Sequence, residues 1–275
     1  MTTQAEKAER FRKLHASGTF VIPNPWDAGS AKILASLGFE ALATTSAGAA
    51  FTLGRVDGTM TRDESLANAA AICAATHLPV SADLENLFAH APDVAAATVP
   101  SAAAAGLVGC SIEDATGDPA NPIYPFDVAV ERVKAAVAAA RALPFPFTLT
   151  ARAENFLHGR KDLADTIARL KAFDAAGADV LYAPGLGDIT QIQAVVAATK
   201  KPINILISTG NAHLTVAELA AMGVRRISVG GALARAALGG LLAGAEEIKN
   251  QGTFTYGKTA MPLARIEAIL SKDKV

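Results

Sequence analysis

Four glycine junctions constrain the fold of this 275-residue chain more than any other feature. Leu37-Gly38-Phe39, Ala105-Gly106-Leu107, Ala176-Gly177-Ala178 and Met222-Gly223-Val224 each end a helical pattern and open an apolar run. Glycine is the usual residue just past a helix end because it takes a positive φ without a Cβ clash. Helix stops that run straight into strands imply alternating α and β elements. Eight apolar runs then read as buried parallel strands: 19–22, 41–44, 79–82, 109–112, 148–151, 180–183, 203–207 and 226–229. Between them, Thr61 with Glu64 and Thr215 with Glu218 have capping-box spacing. Leu163, Ile167 and Leu170 share one helix face, and Pro92 suits a first helical turn.

Eight strand–helix units in roughly 230 residues predict an α/β fold of the (β/α)8 (TIM) barrel type. Residues 1–275 are expected to form one barrel domain, with an extra N-terminal helix near 6–17 and a C-terminal helical extension over 259–275. Either addition could cap the barrel or pack on a neighbouring subunit. A doubly wound open sheet is the rival, but its nucleotide fingerprint is weak: Gly185-Leu186-Gly187-Asp188-Ile189-Thr190 lacks the third glycine.

Composition narrows the function. Hydrophobic residues at 51% and charged residues at 19% allow a large core. A net charge of −1 and 5% aromatics supply neither the basic footprint nor the stacking platforms of a nucleic-acid binder. No apolar stretch is long enough to span a membrane, and MTTQAEKAERF has no signal-peptide apolar region. A cytoplasmic location is the expectation. Cys73 and Cys110 form no metal pair and read as core, and the five histidines have no zinc spacing. His213, after strand seven, reads as solvent-exposed in preference to a general acid.

Barrel chemistry collects at the C-terminal ends of strands. Strand three ends in Asp83-Leu84-Glu85, strand four in Glu113-Asp114 and strand five in Arg152-Ala153-Glu154; strand seven contains Asn204. One such acid would read as a helix cap or a partner of Arg152 or Arg160. Three at successive strand ends favour a hard divalent cation, so Asp83, Glu85 and Glu113 are the expected ligands of Mg²⁺, with Mn²⁺ possible. Asp83 and Glu85 share a face if the chain stays extended; Ser111 faces as Glu113 does, and Cys110 faces away. Ser46-Ala47-Gly48 offers backbone N–H groups to a carboxylate or phosphonate oxygen, or is simply a tight turn. Gly230-Gly231 resembles a barrel phosphate site.

PNPWDAGSAKILASLGFEALATTSAG (23–48), LGRVDG (53–58), SADLEN (81–86), GCSIEDA (109–115), LTARAENFLHG (149–159), AGADVLYAP (176–184) and GVRRISVGG (223–231) resemble the isocitrate lyase/phosphoenolpyruvate mutase superfamily over almost the whole chain. The resemblance implies a last helix exchanged between subunits of a homotetramer, and Mg²⁺ near Asp83 with Glu85 and Glu113 in its surroundings. It implies that Arg152 stabilises an enolate oxygen, that Ser46, Ala47 and Gly48 hold the far acidic group, and that Asp57 belongs to the substrate region. Asn204 is placed with the substrate-binding residues. A preplaced cation and guanidinium give the constellation its physical sense, since they stabilise charge as it develops on a carbonyl oxygen.

The departures guide the reaction. The loop 114–127 (DATGDPANPIYPFD) has no Cys, Lys or His, so it lacks the catalytic-cysteine stretch of isocitrate and methylisocitrate lyases. The Lys-x-Asn of the phosphonopyruvate branch survives only as Asn121. The expected enzyme is therefore a Mg²⁺-dependent lyase that cleaves the bond next to the carbonyl of a small 2-oxo (di)carboxylic acid, with oxaloacetate decarboxylation favoured. Alternatives are phosphonopyruvate or phosphoenolpyruvate mutase or hydrolase chemistry using Asn121, a flavin-binding barrel using Gly185-Leu186-Gly187 and Gly230-Gly231, and a 2-oxo acid binder without turnover.

Overall fold

The computed structural model describes residues 2–272. Its strands are β1 (Phe20–Ile22), β2 (Leu42–Ala43), β3 (Val80–Ala82), β4 (Gly109–Glu113), β5 (Thr148–Arg152), β6 (Val180–Tyr182), β7 (Ile203–Leu206) and β8 (Arg226–Ser228). Each end lies within one residue of the run read from the sequence. All pairings are parallel, in the order β1-β8-β7-β6-β5-β4-β3-β2. The Ala43 N–H donates to Pro23 O at 3.1 Å and draws the two ends of the sheet together. The result is a nearly closed eight-stranded TIM-type barrel.

Helices α1 (Gln4–Leu14), α2 (Ala28–Ser36), α3 (Ser46–Thr52), α4 (Arg62–Ala75), α5 (Pro92–Ala96) and α6 (Thr98–Ala104) come from the first half of the chain. They are followed by α7 (Phe126–Arg141), α8 (Leu163–Ala175), α9 (Ile189–Ala197), α10 (Val216–Ala221), α11 (Ala232–Gln251) and α12 (Leu263–Leu270). The capping boxes at Thr61 and Thr215 form as expected. The four junction glycines take φ between +85° and +98°.

Strand alternation divides the barrel into two chemistries. Outward residues such as Val80, Cys110, Ile112, Leu149, Leu181, Ile203 and Ile227 are buried under the helices in one apolar layer. At the N-terminal end, Phe20, Ile22, Ala41 and Val108 pack with Ala8 and Phe11 of α1. The N-terminal helix is thus a plug for the barrel. Gly109 makes the plug possible, since a Cβ there would sit 2.6 Å from Thr148 O and 3.3 Å from the Phe11 ring. His15 stacks edge-on with Phe11 and Phe20, and burial drives its pKa down to about 3, so it is a neutral core residue. Most of the remaining inward positions are polar and form the inner wall of the site, with Leu206 among the apolar exceptions.

After β8 the chain leaves the barrel wall. Leu238, Leu241 and Leu242 of α11 are exposed, Gly244 packs on the Tyr256 ring, and α12 lies against α2. The expected extension over 259–275 contains α12; its last three residues lie outside the described ones. Among the described residues no helix is long and apolar enough to cross a membrane.

Candidate active site

The C-terminal mouth of the barrel opens into a cavity of about 530 Å³, in the range of small-molecule sites. Arg152, at the last position of β5, lines it and gathers three carboxylates. Nη1 lies 2.9 Å from Asp83 Oδ1 and 2.8 Å from Glu113 Oε1, Nε lies 2.7 Å from Glu154 Oε1, and the guanidinium carbon sits 4.8 Å over the Tyr182 ring. Burial alone would lower the pKa of Arg152, but Glu113, Glu154 and Asp83 hold it well above the ordinary value. The guanidinium therefore stays charged.

Asp83 and Glu113 meet around Arg152 and not around a shared open point, so the bland pairing considered for these acids is partly realised. Asp83 also accepts from the Ser46 hydroxyl at 3.1 Å, the Ser46 N–H at 3.4 Å and the Ser111 hydroxyl at 3.3 Å. Ser111 and Glu113 do share the inner face, while Cys110 and Ile112 join the outer core. Asp114 turns out of the cavity; it accepts from the Glu154 N–H at 2.8 Å and from Arg169 at 3.0 Å, which fixes the end of β5.

The expectation of an extended Asp83-Leu84-Glu85 requires correction. Strand β3 ends at Ala82, and Glu85, Leu87 and Phe88 take φ of +48°, +62° and +61°. This left-handed region costs a non-glycine residue energy that surrounding contacts must offset. Arg132 of α7 supplies such contacts. Its guanidinium donates to the carbonyls of Asn86, Ala89 and His90 and stacks 4.3 Å over the Tyr124 ring. Arg132→Met should destabilise the protein by about 3–5 kcal/mol, because buried carbonyls lose charged donors. Urea unfolding would measure this, and a loss below about 1 kcal/mol would remove Arg132 as the clamp of this loop.

Glu85 nevertheless reaches the cavity wall. Its Oε1 is buried without a hydrogen-bond partner, and burial, with Asp83 and Asp57 nearby, pushes its pKa up to about 7. An orphaned carboxylate oxygen beside two further acids fits a hard divalent cation. Asp83, Glu85 and Glu113 are the residues available to hold one, although no group of three acids is arranged as a ready-made ligand set among the described residues.

The raised pKa has a consequence for stability. The folded protein binds this proton more tightly than the unfolded chain, whose carboxyl titrates near 4.5. The contribution is complete below about pH 4.5 and is lost as pH rises through about 7. Without divalent cation the melting temperature should fall from pH 5 to pH 8, and Glu85→Gln should flatten part of that slope. Asp114, pushed up to about 7 by burial, contributes in the same direction and would remain. An unaltered slope in the variant would show that Glu85 is not protonated in the folded protein.

The other expected residues divide. Asp57, Ser46 and Asn204 line the cavity. Asn204 is fully buried within the barrel, and its amide donates to the Ser228 hydroxyl at 2.9 Å. Ala47 and Gly48 do not line the cavity; Ser46-Ala47-Gly48 is the first turn of α3, and the Gly48 N–H is taken by its Thr45 cap at 3.3 Å. Asn121 is placed outside the cavity, exposed, its amide donating to Asp118 at 3.2 Å in a tight polar turn. Gly230 and Gly231 line the cavity, whereas Gly185 and Gly187 do not. His213 is exposed and away from it.

Sequence reasoning missed Tyr182, Arg226, Thr150 and Ser228 as cavity residues. Polar residues at alternate positions in otherwise apolar strands were the available signal.

The sequence model of the phosphoenolpyruvate phosphomutase family matches residues 11–249. A crystal structure from Burkholderia cenocepacia J2315, provisionally named a lyase/mutase, superposes with a TM-score of 0.96 at 57% identity, covering 98% of each chain. Oxaloacetate decarboxylase of Marinomonas sp. (strain MWYL1) is 30% identical over 245 residues, 86% of this chain and 83% of the relative. A structure of oxaloacetate acetylhydrolase in complex with the product oxalate has a TM-score of 0.87 at 26% identity, covering 98% of this chain and 96% of the other.

Proposed function

The chain belongs to the phosphoenolpyruvate phosphomutase family, within the isocitrate lyase/PEP mutase superfamily, and from that membership we propose that it is a Mg²⁺-dependent carbon–carbon lyase. Its substrate is a small 2-oxo dicarboxylic acid, with decarboxylation of oxaloacetate the favoured reaction. The observation that carries this reading is the charged Arg152 at the barrel mouth, ringed by carboxylates and adjoining the partnerless Glu85 oxygen.

Asp83, Glu85 and Glu113 would hold Mg²⁺, which supplies Lewis-acid polarisation of the keto group when bound. The rest of the work falls to the chain. Nε and Nη1 of Arg152 are committed to carboxylates, which leaves Nη2 for the keto oxygen. When the bond to the departing carboxylate breaks, CO₂ leaves and the electron pair passes to that oxygen, where the guanidinium stabilises the negative charge. A proton from water then restores the keto acid, pyruvate in the case of oxaloacetate. Cleavage that releases a large fragment calls for a placed acid, and the loop 114–127 contains no Cys, Lys or His. The same loop lacks the cation that phosphoryl transfer would need, and its Asn121 faces Asp118. The exposed leucines of α11 support exchange of that helix between subunits of an oligomer.

A thermal-shift panel of oxaloacetate, 2-oxoglutarate, phosphonopyruvate, isocitrate and methylisocitrate, each with and without Mg²⁺, tests the reading. A ligand at about 100 times its dissociation constant adds about 2.7 kcal/mol. Oxaloacetate should stabilise only with Mg²⁺ and should yield pyruvate and CO₂ by NMR. Turnover of phosphonopyruvate alone would replace carbon–carbon with carbon–phosphorus cleavage, and no shift with any acid would overturn the proposal.

A further inference from the structure

The cavity lining includes a second arginine, Arg226 at the start of β8. This side chain is 6% exposed. Its Nε donates to Asn204 Oδ1 at 2.8 Å and one terminal nitrogen donates to Thr150 Oγ1 at 3.1 Å. The other terminal nitrogen, Nη1, is buried and has no partner. Arg152 has three carboxylates within 3 Å, whereas no acid forms an ion pair with Arg226 among the described residues. Burial and repulsion from Arg152 lower its pKa only to about 10, so it remains charged at neutral pH.

A buried, charged guanidinium held only by a neutral amide and a hydroxyl is a costly arrangement. Its surroundings are set to keep it in place. The Asn204 amide is oriented by its bond to Ser228, and Tyr182 stays a neutral phenol because burial pushes its pKa up to about 12. What the group lacks is an anion. The expected holders of the far acidic group are meanwhile occupied: the Ser46 N–H and hydroxyl meet Asp83, and the Gly48 N–H meets Thr45.

We propose that Arg226 is a second anion-binding group of the cavity and receives the substrate carboxylate remote from the keto group. It thereby selects dicarboxylates over monocarboxylates. The identity of that substrate rests on the lyase reading above, but recognition of a dianion by Arg226 does not require turnover. Because the contact is made to the ground state as well as to the transition state, its loss acts on KM more than on kcat.

The test uses the intact protein with Mg²⁺, succinate as the unreactive dicarboxylate and butyrate as its monocarboxylate control. Arg226→Gln should weaken succinate binding about 10–100-fold, the loss expected for a charged hydrogen bond, and leave butyrate binding unchanged. Arg226→Lys should fall between. Oxaloacetate turnover by Arg226→Gln should show KM raised by a larger factor than kcat falls. Unchanged succinate affinity in the folded Gln variant would overturn the proposal. If that variant does not fold, the Arg226 Nε–H resonance of the wild type, assigned with Arg226→Lys, decides: a shift on adding succinate supports the subsite, and none overturns it. Succinate binding that depends on Arg226 in a protein without oxaloacetate turnover would keep the subsite and discard the lyase reading. Turnover with Arg226-independent binding would do the reverse.

Discussion

Asp83→Asn is expected to abolish stabilisation by Mg²⁺ and to lower turnover by about three orders of magnitude, the scale set by losing a cation that polarises a carbonyl. The substitution preserves the volume of the side chain and its capacity to bond Ser46 and Ser111. It removes the charge. Arg152 keeps Glu113 at 2.8 Å and Glu154 at 2.7 Å and is not left without a counter-charge, so the metal-free fold should lose well under the ~3–5 kcal/mol of a broken buried pair. Function and packing are thereby separated: the melting temperature without metal stays near the wild-type value while the Mg²⁺-dependent increment disappears. Calorimetric titration with Mg²⁺ and Mn²⁺ measures the affinity directly. Wild-type affinity in the variant would remove Asp83 from the metal site and transfer the role to Glu85 and Glu113.

The barrel was legible because its signals are local. A glycine just past a helix and a four-residue apolar run are readable without tertiary information, and every strand lies where those signals place it. Alternation also put Ser111 and Glu113 on one side and Cys110 on the other, because the strand period is set by backbone geometry. The site was legible where acids and hydroxyls follow the strands closely, as at Ser46, Asp83 and Glu113, and less so where a turn redirects the chain. Glu85 follows β3 through a left-handed turn that Leu87 and Phe88 do not announce, since neither is glycine and the clamp comes from Arg132, more than forty residues away. Asn121 is what the loop keeps of the Lys-x-Asn pattern, but Asp118 captures its amide. Arg226 was read as the start of an apolar strand. Its inward direction is shared with Ser228 on the same strand and Asn204 on the next, and that polar alternation is the pattern that could have marked it.

Arg152 should also tolerate change poorly. In Arg152→Lys a point charge replaces a planar fork that serves three carboxylates through Nε and Nη1, and one ammonium cannot hold Asp83, Glu113 and Glu154 in those positions while also meeting a keto oxygen. A fall of about 10²–10³ in kcat is expected, comparable to removing one donor to a developing oxyanion. Arg152→Met should cost more and in a different way. Buried acids deprived of their counter-charge destabilise the fold by about 3–5 kcal/mol, and they relieve that cost by binding protons more tightly than the unfolded chain does. Their folded pKa values then lie above the unfolded ones, so stability is greatest at acid pH and declines as pH rises through the folded values. Wild-type and Arg152→Met proteins should therefore diverge in melting temperature from pH 5 upward, and the Lys variant, which retains a positive charge, should follow the wild type. If Arg152→Met instead matched the wild type across that range while turnover was lost, the acids would be solvated in the absence of the guanidinium, and the role of Arg152 would be confined to the reacting oxygen.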